Sequence, residues 1–243
     1  MAIVSQEELI VALGLGDLDA AQRDKLNWMQ GKVQAAIAQR VGSKLEQGTF
    51  TEFLPNGPAR SSVDSYGPGE IIGNYYVPTR GGNDAALQLK NMPIRSIVSI
   101  HEDAGAMGGQ APGAFGASTL LTAGVDYYVD FDEPGISRSG LIYRTSGGWL
   151  AMPRAIKVVY VGGFSAEEFE GHPSADIDAS DIKLAIIETM DAVLNSQGGP
   201  AGAISSESTV DYSVTFSTAE IIKSIPASAA QRLRPYCNFG RFT

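Results

Sequence analysis

Apolar positions recur every three or four residues near both ends of the chain and lose that period in the middle, so the pattern divides the sequence before any motif is considered. Leu26, Met29, Val33, Ile37, Val41 and Leu45 make one stripe. Their spacing predicts a helix from Ala20 to about Glu46, capped by Asp19 with Gln22 at the third helical position. A shorter helix ahead of it is predicted from Ser5-Gln6-Glu7-Glu8, where Ser and Glu stand at capping-box spacing, and Gly14 ends it. Toward the other end, Ile182, Ile186, Met190 and Val193 line one face of a helix predicted over 178–195, closed by Gly198-Gly199.

Between these helical stretches the pattern is one of short apolar runs separated by Gly and Pro. Strands are predicted over 49–54, 70–77, 87–90, 94–101, 125–130, 140–145 and 155–161. Ile94, Ile97 or Val98, and Ile100 do not alternate cleanly, which loosens the boundaries of that strand. Loops interrupt the block at 55–69 and at 104–117, the second almost without charge and rich in small residues that favour mobility. Near the end, Val210-Asp211-Tyr212-Ser213-Val214-Thr215-Phe216 alternates with period two, as a strand does. Pro226 then opens a short helix that Pro235 closes, leaving a projecting arm.

The order of helices, strands and helix predicts an α+β fold: a small helical bundle with an inserted antiparallel β-sandwich or barrel-like module and an extended C-terminal arm. The expected divisions are N-terminal helices of the bundle at 1–48, the β-rich module at 49–164, the returning helix, strand and short helix at 165–234, and the arm at 235–243.

Charge narrows the function. With a net charge of −9 the surface is unsuited to gripping nucleic acid, because phosphate binding depends on clustered Lys and Arg. The single cysteine, Cys237, excludes an intramolecular disulfide and fits a reducing compartment. No apolar run approaches the length of a membrane span, and the N-terminus lacks the features of a secretory signal.

Candidate chemistry is sparse. His101 and His172 have no partners at metal-ligand spacing, so no metal or cofactor is expected, and loop histidines are the simpler reading. Asp126, Asp130, Asp132 and Glu133 could supply paired carboxylates for glycoside hydrolysis, but they flank a strand and a Pro-Gly turn, which accounts for them without catalysis. Gly14-Leu15-Gly16 and Gly162-Gly163 terminate elements and lack the residues of a phosphate loop. A monomeric β-sandwich that binds carbohydrate is an alternative, with Tyr127, Tyr128, Tyr143 and Trp149 as a stacking platform.

The tail carries a stronger signal. Arg232, Leu233, Arg234, Pro235, Tyr236, Phe239, Arg241 and Phe242 combine arginine with aromatic rings on an otherwise acidic chain, the composition enriched where proteins anchor to one another.

Several segments, in order, resemble the head–tail adaptor (connector or head-completion) proteins of tailed bacteriophages and related gene transfer agents. They are Leu87-Gln-Leu-Lys-Asn-Met-Pro-Ile-Arg-Ser-Ile-Val-Ser-Ile100, Gly124-Val-Asp-Tyr-Tyr-Val-Asp130, and Ile156-Lys-Val-Val-Tyr-Val-Gly-Gly-Phe164. Asp181-Ile-Lys-Leu-Ala-Ile-Ile-Glu188, Ser206-Glu-Ser-Thr-Val-Asp-Tyr-Ser-Val-Thr-Phe216 and Leu233-Arg-Pro-Tyr236 follow. Their sequential order carries the likeness; the loops at 55–69 and 104–117 depart from it. The resemblance implies a non-enzymatic virion protein of the neck, assembled in the host cytoplasm. It would form a dodecameric ring that docks beneath the portal protein and offers a platform to the next neck or tail-completion protein. Genomic DNA would pass through the bore as a polyanion that slides past acidic walls. The C-terminal segment, from Arg232 to Phe242, would be the portal-binding arm, and removing 235–243 is expected to leave a folded protein that no longer binds portal rings.

Overall fold

A computed structural model describes residues 3–54, 70–72, 75–77, 86–106, 109–111, 113–131, 135–150, 154–173, 175–196 and 218–237. The structure is α+β and falls into two compact units, Met1–Glu46 with Phe164–Cys237, and Gln47–Gly163.

The helical unit begins with α1 (Gln6–Ala12), held by the predicted capping box: Glu8 N–H donates to Ser5 Oγ at 3.2 Å and Ser5 N–H to Glu8 Oε2 at 2.8 Å. Helix α2 (Ala20–Val41) is capped by Asp19 in the same way. It stops short of the predicted end because Gly42 turns left-handed (φ 80°) and donates its N–H to the Ala38 carbonyl. Leu45 is nevertheless buried, carried there by the non-helical chain beyond the cap.

A helix absent from the sequence reading follows the β unit: α3 (Ala166–Phe169), whose Ser165 and Glu168 form a third capping box. Helix α4 (Ser180–Ser196) buries Ile182, Ile186, Met190 and Val193, the stripe the spacing predicted. Two seven-residue helices complete the unit, α5 (Thr218–Ser224) and α6 (Ala227–Leu233), the second continuing into a 3-10 turn at Arg234–Tyr236. One core joins Leu26, Val33 and Ile37 of α2 to Ile182, Ile186 and Met190 of α4, with Ile221, Ala229 and Leu233 from the last helices. The predicted strand at 210–216 and the Gly198-Gly199 stop lie outside the described residues.

The β unit is built from antiparallel strands. One sheet has the order β1 (Gly48–Leu54), β8 (Ile156–Gly162), β5 (Ile94–Glu102); another has the order β4 (Ala86–Gln88), β7 (Leu141–Arg144), β6 (Tyr127–Val129). Where one strand was predicted over 70–77 there are two, β2 (Glu70–Ile72) and β3 (Tyr75–Val77), paired with each other. Both three-stranded sheets feed one core: Leu54, Ile100, Val158 and Tyr160 from the first, Leu87, Tyr127 and Ile142 from the second. The module is therefore sandwich-like; no closed barrel occurs among the described residues.

The irregular spacing in β5 has a structural cause. Its register against β8 shifts between Ile94 and Ser96 and again between Ile97 and Ser99, so each bulge inserts a residue and inward positions fall three apart. The chain after β5, predicted to be mobile, is pinned where it is described. Asp103 accepts the N–H of Gly105 at 2.8 Å and of Phe115 at 3.0 Å, and the Phe115 ring lies 5.6 Å from that of Phe53.

Candidate assembly surfaces

The C-terminal segment is folded into the helical unit as far as Cys237. Arg232 extends across to α4, donating from Nη1 to Asp181 at 2.8 Å and from Nε to Glu188 at 2.9 Å. Those two acceptors, Asp181 first, hold its guanidinium above its ordinary pKa. Leu233 is wholly buried in the core, while Arg234 and Pro235 are exposed. Tyr236 donates its hydroxyl to the Asp178 carbonyl at 2.9 Å and sets its ring edge-on to Phe164 with centroids 5.6 Å apart. Cys237 Sγ lies 3.3 Å from the Leu233 carbonyl, and burial pushes the thiol pKa up.

This corrects the arm as drawn from the sequence. Leu233 is a core residue, Arg232 and Tyr236 are committed to their own unit, and a truncation from Pro235 would remove Tyr236 from its packing. Phe239, Arg241 and Phe242 lie outside the described residues.

A second ionic group ties the same unit together. Lys183 of α4 donates to Glu8 of α1 at 2.6 Å and to both carboxylate oxygens of Glu170, just past α3, at 2.7 Å. The Lys183 bond is the main reason that the Glu8 carboxyl is lowered to about 2.

The β unit holds a polar cluster the sequence reading missed. Glu52 of β1 accepts hydrogen bonds from the Tyr160 hydroxyl and, at 3.1 Å, from the Lys90 N–H; Asn91 Nδ2 adds another at 3.2 Å. Its second oxygen, Oε2, is buried with no hydrogen-bond partner. Burial raises the Glu52 carboxyl pKa despite those donors, and burial followed by the Glu52 charge pushes the Tyr160 hydroxyl upward too. Nothing in the spacing signals this cluster, because Glu52 looks like an outward strand residue until Tyr160 is placed beneath it.

The other residues weighed for chemistry are accounted for by structure. Asp126 accepts the Thr122 N–H at 2.7 Å, and Asp130 accepts from Ser139 Oγ at 3.1 Å; Asp132 and Glu133 lie outside the described residues. His101 lies 3.2 Å from Thr119 Oγ1, and His172 is exposed. No group of three or more side chains suited to holding a metal occurs among the described residues, and no helix among them is long and apolar enough to cross a membrane.

The proposed sugar platform does not form. Adjacent residues of β6 point to opposite faces, so Tyr127 is buried while Tyr128 stacks on Tyr143 of β7, centroids 5.1 Å apart and planes within 12°. Trp149 is buried beside Arg144, whose guanidinium lies 5.3 Å from the ring centroid and donates to Glu102 at 2.6 Å.

No family model matches the chain, and no curated protein matches it. Among solved structures, the chain is similar to one from the neck of an empty gene transfer agent (GTA) particle computed with C6 symmetry. The two are 14% identical at a TM-score of 0.43, covering 91% of this chain and 88% of that one. It is similar also to a chain from the neck of a native GTA particle computed with C12 symmetry, 15% identical at a TM-score of 0.39 over 83% of this chain and 89% of that one.

Proposed function

We propose that this chain is a structural neck protein of a phage-like particle, a head–tail adaptor that forms a ring on the portal and links the filled capsid to the next neck or tail-completion protein. The observation that carries the reading is the ordered run of segments quoted above. Five of the six segments coincide with elements, in order β4 to β5, β6, β8, α4, and α6 with its 3-10 turn; the sixth, 206–216, lies outside the described residues. The order of the chain supports it, with the residues of the β unit inserted in the sequence between the two stretches that make the helical unit. The net charge of −9 supports it as well, since acidic walls would let DNA pass without sticking.

In this reading the portal anchor is the stretch after Cys237, where Phe239, Arg241 and Phe242 supply rings and charge, and the folded segment from Arg232 to Tyr236 forms its base. The ring is a dodecamer assembled in the host cytoplasm and retained in the virion neck, without enzymatic activity. The test is a reconstruction of intact particles together with co-sedimentation of the purified chain with portal rings. An annulus of this subunit between the capsid vertex and the tail is expected; its absence would overturn the proposal.

A further inference from the structure

The first sheet of the β unit has two edges that are finished differently. On β5 the outer edge is closed at both ends: Ile94 and Ser137 exchange N–H to carbonyl bonds at 2.8 Å, and Leu121 N–H donates to the Ile100 carbonyl at 2.8 Å. Two bulges lie between those points. Coverage and bulging are the usual ways of blunting an edge strand. In the second sheet the edge strands, β4 and β6, are only three residues long.

Among the described residues, strand β1 has none of these protections. It runs seven residues in unbroken register against β8, with no proline and no bulge. Its outward groups can be identified. Gly163 N–H donates to the Pro93 carbonyl and the Ala155 carbonyl accepts from Asp103 N–H, so odd-numbered residues of β8 face β5 and even-numbered ones face β1. Through the register, Gly48, Phe50, Glu52 and Leu54 bond to β8, and the N–H and C=O groups of Thr49, Thr51 and Phe53 point away from the sheet. These groups have no hydrogen-bond partner among the described residues, and Thr49 and Thr51 are exposed.

We propose that this edge receives a strand from a second copy of the chain, namely residues 210–216, Val-Asp-Tyr-Ser-Val-Thr-Phe. Three features select that occupant. It has the length of β1. Its alternation matches at four of six positions: Val210, Tyr212, Val214 and Phe216 would extend the side on which β1 carries Phe50, Glu52 and Leu54, and Asp211, Ser213 and Thr215 the side on which it carries Thr49, Thr51 and Phe53. Residues 197–209 give the donated strand about 40 Å of slack on its N-terminal side, while Ser217 alone joins Phe216 to α5, so the acceptor edge is that of a neighbour lying beside the donor's α5. Edge and donated strand are different surfaces, so the contact is heterologous and repeats around a ring. To that extent the inference rests on the proposed ring.

The test follows amide hydrogen exchange at Thr49, Thr51 and Phe53 in the full chain, as monomer and as rings assembled on portal, with mass measured on the same samples. Exchange at these amides is expected to slow at least about tenfold on assembly. Thr51→Pro removes an outward N–H at an edge position where proline is tolerated. It should keep the monomer's melting temperature and abolish both the protection and the subunit contact. Val214→Pro acts on the donor, leaves the sheet untouched, and should do the same. Rings that form while these amides exchange as in the monomer would overturn the strand donation and leave the ring standing. Protection already present in the monomer would place the donor within the same chain, and protection that survives Val214→Pro would assign it to a portal or tail strand; either result overturns the proposal. Failure of the wild-type chain to assemble at all would overturn the ring and this contact together.

Discussion

Glu52 and Glu8 are both hydrogen-bonded carboxylates, and their surroundings move them in opposite directions. Glu52 sits above its ordinary value of 4.5 because burial outweighs its donors, so the folded state holds its proton more tightly than the unfolded chain does. Its contribution is greatest below pH 4.5 and declines as pH rises through the folded pKa. Glu8 is lowered to about 2, chiefly by Lys183, so its contribution is present above pH 4.5 and is lost as pH falls toward 2. Urea midpoints against pH, followed by the buried Trp149 in a Trp28→Phe background, should therefore lose their decline above pH 4.5 in Glu52→Gln. Glu8→Gln should flatten the acid side, by a small amount because Glu8 is largely solvated and salt screens the pair. Leu233 allows a plainer test. As a wholly buried residue of the helical core, its replacement in Leu233→Ala should cost about 2–5 kcal/mol in denaturant titrations. An exposed anchor would cost almost nothing.

At the scale of elements, glycines set two limits of different kinds. Gly42 ends α2 in the left-handed region, and a Cβ there is strained by conformation alone, so Gly42→Ala should cost about 1 kcal/mol. In β8, a Cβ on Gly162 would fall inside the contact distance of the Asn91 carbonyl and lie 3.1 Å from the Tyr160 ring. Gly162→Ala should therefore cost more, on the order of 3 kcal/mol, because backbone must move. Equal losses for the two variants by thermal unfolding would contradict that ranking. Elements were legible where their signal was local and long enough. The α2 and α4 stripes and the Ser5 and Asp19 caps fit the structure, whereas α5 is too short for seven residues to show a period. Helix α3 had its signal in Ser165-Ala-Glu-Glu168, the same capping box as at Ser5, without an apolar run behind it. In β5 the three-residue spacing of Ile94, Ile97 and Ile100 was itself the mark of two bulges.

For the whole molecule, where the last described helix hands over to the tail decides how the proposed anchor can be tested. A chain ending at Cys237 keeps Leu233 in the core and Tyr236 on Phe164 and Asp178, so it should melt with the full-length protein and fail to co-sediment with portal rings. A chain ending at Arg234 should melt at a lower temperature, since it loses the Tyr236 ring and hydroxyl contacts. If the Cys237 truncation still binds portal normally, the anchor lies elsewhere in the chain.

What could be read from the sequence is what short-range physics controls. Caps act over three residues and stripes repeat within one helix, so the α+β order, most strands and the acidic character were present in the chain as written. Contacts between distant residues were not. Arg232 meets Asp181 from 51 positions away and Tyr160 meets Glu52 from 108, and no local pattern encodes which turns of chain bring such groups together. Tertiary structure alone therefore decided that Arg232 and Tyr236 belong to the helical unit's own packing, that the four aromatic residues do not form one platform, and that the outer hydrogen-bonding groups of β1 have no partner among the described residues.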